Sequence, residues 1–252
     1  MENEMKKIFG FAISMLLCSS AMSAPSFKVY EVAVKPGSQA AVLQATDKFM
    51  KSSMGKRYEG ALHVNVVLAN GISPATHSFV LLMPSVAAIA AWETSMLSSP
   101  DAAEFFEVLS QNQTVVSDYM GSLIKAWGDV SNDDRVWQVT RFYTTDPLKV
   151  LAAQEKLMAD PSVRDFPGQV ALHATPWGNR NGANNQFSTH LFAVGFKDVA
   201  EMEGWTNYAN TQPAWAEYLT SLRDVVTWQG SELLQNAVIY DAALDLEEFT
   251  KQ

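Results

Sequence analysis

The four histidines of this chain fall into two matched pairs, His63 with His173 and His77 with His190. Imidazole is the side chain that titrates nearest neutrality. Facing an enclosed pocket, it can accept a substrate proton or hold a polar ligand atom. His63 stands in an alternating segment. Leu62, Val64, Val66 and Leu68 point one way; His63, Asn65 and Val67 point the other. In the second copy Ala171, His173, Thr175 and Trp177 share the corresponding face. His63 and His173 are therefore candidate catalytic bases, with Asn65, Thr175 and Trp177 as candidate ligand contacts. A plainer reading stands beside this one: duplication copies structural residues as faithfully as functional ones, and a strand His next to Asn or Thr can be a satisfied core group. His77 and His190 each open a strand, and are candidate ligand contacts at a rim.

Glu31 is a further candidate, a carboxylate on the first strand that aligns with Gln138 at an offset of 107. A Glu-to-Gln change between copies would break two-fold symmetry and leave one site in place of two. The loop Gly178-Asn179-Arg180-Asn181-Gly182-Ala183-Asn184-Asn185 reads either as a surface hairpin or as a lid with Arg180 on an anionic group. Trp137, Phe142, Trp177 and Phe196 are a supply of aromatic rings for a planar ligand, whereas Trp92 and Trp205 read as helix-to-sheet packing. No His-x-His, His-x-x-x-His or paired cysteines mark a metal site, and no phosphate loop, nucleophile elbow or nucleotide fingerprint occurs. Neither metal nor cofactor is expected.

The elements that carry these residues repeat. Residues 76–109 align without a gap onto residues 189–222, with ten of 34 positions identical, among them Thr76/Thr189, His77/His190, Phe79/Phe192, Trp92/Trp205 and Pro100/Pro213. A unit this long implies two copies of one small domain. The first copy predicts strands over Phe27–Lys35, Ala61–Ala69, Thr76–Met83 and Leu123–Trp127. A helix follows Gly37-Ser38, Ser85 caps another, and Pro100 sits early in a third helical segment. The second copy predicts strands over Arg135–Tyr143, Val170–Trp177, Thr189–Phe196 and Leu233–Tyr240, with Asp146-Pro147 and Asp198 opening helices. The offset is 107 on the first strand, 110 on the second (Ala61-Leu62-His63 with Ala171-Leu172-His173) and 113 thereafter. Ser131-Asn132-Asp133-Asp134 reads as the linker.

Lys6-Lys7, the apolar run Ile8–Cys18 and Ala21-Met22-Ser23 read as a signal peptide, residues 1–23, cleaved after Ser23. That predicts a periplasmic or secreted protein. The only cysteine, Cys18, lies within this segment, so the mature chain must rely on its core. The net charge of −9 argues against nucleic acid, and no later stretch reads as a membrane span. Whether the protein is a homo-oligomer is left open.

The order β-α-β-β-α-β, twice, is a pair of ferredoxin-like units, residues 25–130 and 134–245. Each sheet has helices on one face and needs cover on the other. The chain thus resembles the dimeric α/β-barrel superfamily in fused two-repeat form, similar to antibiotic-biosynthesis-type monooxygenases and NIPSNAP-like proteins. The resemblance implies an α+β intramolecular barrel binding a small apolar or aromatic molecule between its halves. It further implies cofactor-independent oxygenation with His63 or His173 as base and Asn65 as its hydrogen-bond partner. The alternatives are a non-enzymatic ligand-binding or interaction protein, or a haem-binding protein; haem-degrading relatives present a helical His, and no predicted helix here contains one.

Overall fold

A computed structural model describes residues 24–128, 133–178 and 187–241. The first repeat runs β1 (Ser26–Val34), α1 (Gln39–Lys51), β2 (Ala61–Ala69), β3 (His77–Met83), α2 (Val86–Met96), α3 (Pro100–Asn112) and β4 (Gln113–Trp127). The second runs β5 (Val136–Thr144), α4 (Pro147–Met158), β6 (Val170–Trp177), β7 (His190–Phe196), α5 (Val199–Ala209), α6 (Pro213–Leu222) and β8 (Val226–Tyr240).

Local chemistry accounts for the helix starts. Ser85, Ser99, Asp146 and Asp198 each accept a hydrogen bond from a backbone N–H in the first turn of the helix that follows. Pro100, Pro147 and Pro213 occupy first-turn positions, where the missing N–H costs nothing. The two closing strands are much longer than expected: β4 begins at Gln113 and β8 at Val226. Their first halves are mixed and partly exposed, so the alternation that marks a half-buried strand is weak there.

That extra length closes the molecule. Each repeat forms an antiparallel sheet, β4-β1-β3-β2 and its counterpart β8-β5-β7-β6. β4 then pairs with β6 and β2 with β8, giving one closed eight-stranded barrel with no free edge. The helices cover the outside. Val32, Leu62, Val64, Phe79 and Leu81 pack under α1–α3 with Phe49 and Trp92; Phe142, Leu172 and Phe192 pack under α4–α6 with Val150 and Leu222. A third cluster fills the barrel: Phe27, Val29, Tyr119, Val139, Leu191 and Leu234.

Pairing corrects the register between the repeats in two places. Val32 faces His77 as Phe142 faces His190, so β1 maps onto β5 at an offset of 110, the distance from Val32 to Phe142. At that offset Glu31 corresponds to Arg141, and the expected Gln138 lies on the helix side. Even the β-bulge is copied, between Glu31 and Val32 and between Arg141 and Phe142. On the second strands, Asn65 pairs with Asn236 and His173 with Leu123, which is the residue matching Asn236 in the other repeat. Asn65 is thus the positional counterpart of His173, and Ala171 that of His63.

Candidate functional site: the barrel interior

Alternation along each strand delivers the odd-numbered residues of β1, β2, β5, β6 and β7 to the interior. A cavity of about 140 Å³ lies there, lined by Phe27, Val29, Val80, Leu82, Val139 and Leu234 among other apolar groups, with a polar minority. His63, Asn65 and His173 all line it. Asp134, Arg135, Gln169 and Asp241 line it too, from just outside the ends of β5, β6 and β8. All four flank the same end of the barrel, where β1, β2, β5 and β6 begin.

The floor is a buried ion cluster. Arg141 Nη2 donates to Glu31 Oε1 at 3.0 Å and to the Tyr119 hydroxyl at 2.7 Å, while Nη1 donates to Glu232. Ser117 donates to the other oxygen of Glu31. The guanidinium also lies over the Tyr119 ring, 4.7 Å from its centroid. Burial pushes the Tyr119 phenol well above its usual range, so it stays protonated. The cluster obeys the repeat: Glu31 matches Arg141, and Tyr119 matches Glu232. One symmetry-related pair, Glu31 and Arg141, has diverged into opposite charges, and the other, Tyr119 and Glu232, into a neutral phenol and a carboxylate that both bond the guanidinium. Glu31 is therefore an interior carboxylate, as its strand pattern implies, and it is fully engaged with partners.

The upper part of the cavity differs. Among the described residues six buried side-chain atoms lack a hydrogen-bond partner, and four of the six residues line this one cavity: His63 Nε2, His173 Nδ1, Asp134 Oδ2 and Gln169 Nε2. Burial lowers both His63 and His173 to about 4, so both rings are neutral near pH 7. For His63, Asp241 partly offsets that burial and Arg135 adds to it. Asp134 is raised to about 6, first by desolvation and then by the charges of Glu201 and Asp133. Gly195 lets it fit: a Cβ there would stand 2.7 Å from Asp134 Oδ2 and 3.0 Å from the Trp137 ring. A polar chain runs beside His63. Trp137 Nε1 donates to Asn236 Oδ1 at 3.0 Å, and Asn236 Nδ2 donates to Asn65 Oδ1 at 2.8 Å and lies 3.4 Å from His63 Nδ1.

The remaining sequence candidates are not brought to this cavity. His77 and His190 stand on the helix side of β3 and β7, because their strand neighbours Ser78 and Leu191 take the inward positions. Each bonds the preceding threonine, His77 to Thr76 at 2.9 Å and His190 to Thr189 at 2.8 Å, and His190 stacks on Phe142. Thr175 is buried below the cavity near the Ser188 carbonyl, and Trp177 is half exposed at the end of β6. Phe142 and Phe196 lie under the helices, so Trp137 alone of the four candidate rings reaches the cavity. Arg180 and residues 1–23 lie outside the described residues. Sequence reasoning missed Arg141, Tyr119, Glu232, Asp134, Gln169 and Asn236. A first-strand offset of 110 would have exposed Arg141 opposite Glu31.

Two further cavities lie between sheet and helices, about 390 Å³ in the first repeat and about 400 Å³ in the second. They are related by the repeat and mainly apolar. Each has one buried polar atom without a partner, Gln113 Oε1 in the first and Trp215 Nε1 in the second.

No family model matches the chain, and no curated protein is a significant match in sequence. Solved structures do match. A proposed monooxygenase of Lactobacillus acidophilus superposes with a TM-score of 0.60 at 14% identity, covering 87% of this chain and 97% of the other. One from Fusobacterium nucleatum gives 0.58 at 15%, covering 87% and 95%. An anthrone oxidase-like protein gives 0.57 at 11%, covering 88% and 94%. This chain has the dimeric α/β-barrel fold. Coverage of 87–88% of this chain means that both repeats take part in the match. In the dimeric α/β-barrel fold of this chain the two units are joined covalently, and that is what allows Glu31 and Arg141 to differ. At such identities the likeness concerns the fold and leaves chemistry to the site itself.

Proposed function

We propose that the protein binds one small, largely apolar molecule inside the barrel, with its polar groups toward His63, Asp134, Gln169 and His173. The observation that carries this reading is the convergence of four unpartnered buried polar atoms on one cavity. Each such atom costs about 1–3 kcal/mol. Native chains rarely retain four together unless something meets them. The apolar wall supplies affinity and the polar end supplies orientation. Native mass spectrometry of protein purified from its own compartment is expected to show one bound small molecule per chain. A high-resolution structure with ordered water on all four atoms, and no ligand by mass spectrometry, would overturn the reading.

Proton abstraction is a second reading, favoured by Asp134. Accepting a proton on an imidazole whose pKa is about 4 from a phenol near 10 is uphill by about 8 kcal/mol before any compensation. Asp134, raised to about 6, with one unpartnered oxygen and among the residues lining the cavity, is the better base for cofactor-free, oxygenase-like chemistry. Haem fits poorly. All four histidines sit on strands, the cavity holding two of them is about 140 Å³, and neither larger cavity is lined by His. Export follows from the leader alone. N-terminal sequencing of the exported protein is expected to begin at Ala24, and an intact Met1 or Met5 would refute it.

A further inference from the structure

This inference rests on the cavity being a ligand site and concerns what His63 presents to that ligand. The indole nitrogen of Trp137 can only donate. It lies 3.0 Å from Asn236, so the atom of Asn236 that faces it must be the oxygen. The Asn236 nitrogen then points the other way, to Asn65 Oδ1 at 2.8 Å and to His63 Nδ1 at 3.4 Å. Asn65 is held in the matching orientation, because its own nitrogen donates to Ser78 Oγ at 3.1 Å. A ring nitrogen facing an amide NH₂ must be the acceptor. His63 Nδ1 therefore carries no proton. The ring is neutral near pH 7, so its one proton is on Nε2, the buried atom without a partner in a residue that lines the cavity.

We propose that Trp137 and Asn236 are positioning residues that lock His63 as an Nε2–H donor, and that the site receives a neutral ligand through an acceptor oxygen, such as a carbonyl. The Gln169 amide is a second unpartnered donor lining the same cavity, from the opposite side of the barrel beside β6. The device exists once. In the other repeat Leu123 takes the place of Asn236 beside His173, so no such chain reaches that ring. One barrel thus holds one oriented donor, although it carries two interior histidines.

Long-range ¹H–¹⁵N spectra of the full chain read the tautomer directly, with acetophenone as a carbonyl probe and ethylbenzene as its oxygen-free control. At pH 7 His63 is expected to show a bare Nδ1 and a protonated Nε2. Asn236→Asp turns the donor into an acceptor, and is expected to move the proton to Nδ1 and weaken acetophenone about tenfold, with ethylbenzene unchanged. Trp137→Phe, which frees the Asn236 amide to flip, is expected to give mixed tautomers and serves if Asn236→Asp does not fold. A protonated Nδ1 in the wild type, or a tautomer indifferent to both substitutions, overturns the proposal even if both probes bind; the cavity reading then survives. The expected tautomer with neither probe perturbing the cavity side chains overturns the ligand assignment together with the cavity reading.

Discussion

The floor and the mouth of the barrel interior are built from the same kinds of residue and behave in opposite ways. At the floor Glu31, Arg141, Glu232, Tyr119 and Ser117 form a cluster in which the guanidinium meets two carboxylates and a phenol. At the mouth His63, His173, Asp134 and Gln169 each leave one buried atom unmatched. A satisfied polar cluster is structure: its members answer one another. An unsatisfied one, enclosed in the same fold, is where something else is expected to bind. Polar character and burial alone do not separate the two regions; the hydrogen-bond inventory does.

The largest test of this contrast separates the halves. Glu31 and Tyr119 belong to one repeat, Arg141 and Glu232 to the other, and the β2–β8 and β4–β6 seams both cross between repeats. Neither residues 24–128 nor residues 133–241 are expected to fold as a soluble monomer. Cooperative unfolding of either alone, by sedimentation and denaturant titration, would show that the floor is dispensable. Next in size is Arg141→Met. It leaves two buried carboxylates facing each other without their cation, an expected loss of about 3–5 kcal/mol in chemical denaturation. Adding Glu31→Gln and Glu232→Gln is expected to restore most of it; failure to restore would mean that packing of the guanidinium, rather than charge, holds the floor.

The mouth is expected to respond in the opposite direction. His173→Leu removes an unmatched buried nitrogen, and is expected to raise stability by about 1 kcal/mol at pH 7 while weakening any ligand held there. The pH dependence sharpens the point. His173 titrates near 4 in the folded state and near 6.5 when unfolded, so between those values the unfolded chain binds more protons. Stability from this residue is intact above pH 6.5 and falls as pH drops toward 4. The advantage of His173→Leu should widen over that window by up to about 3 kcal/mol. A difference independent of pH would place His173 in contact with water or with a partner. The smallest effect is expected at the outer pair. His77→Gln and His190→Gln, on the helix side of the sheet, should leave ligand affinity unchanged and cost about 1 kcal/mol each by thermal unfolding for the threonine contact, with the Phe142 stacking lost as well at His190.

Much of this molecule is legible without coordinates. The repeat, the order of elements, the caps at Ser85, Asp146 and Asp198, and the inward face of β2 all follow from spacing and local chemistry. These are short-range properties, set by residues a few positions apart. What needed the tertiary structure is register. Strand alternation has a period of two, so an even error leaves a side chain on its correct face and an odd one reverses it. Identity at Ala-Leu-His misplaces His173 by two residues relative to the pairing, and it remains interior. The first-strand alignment errs by three, which puts Gln138 where Arg141 belongs and hides the cation that answers Glu31. The unmatched atoms at the mouth were out of reach for a related reason. Whether His63 finds a partner depends on Asn236, 173 positions away along the chain, and sequence spacing carries no record of such encounters. Sequence by itself determined two ferredoxin-like units with histidines on their strands; only closure of the barrel, through strand pairs between the repeats, decided which polar groups answer one another and which wait for a ligand.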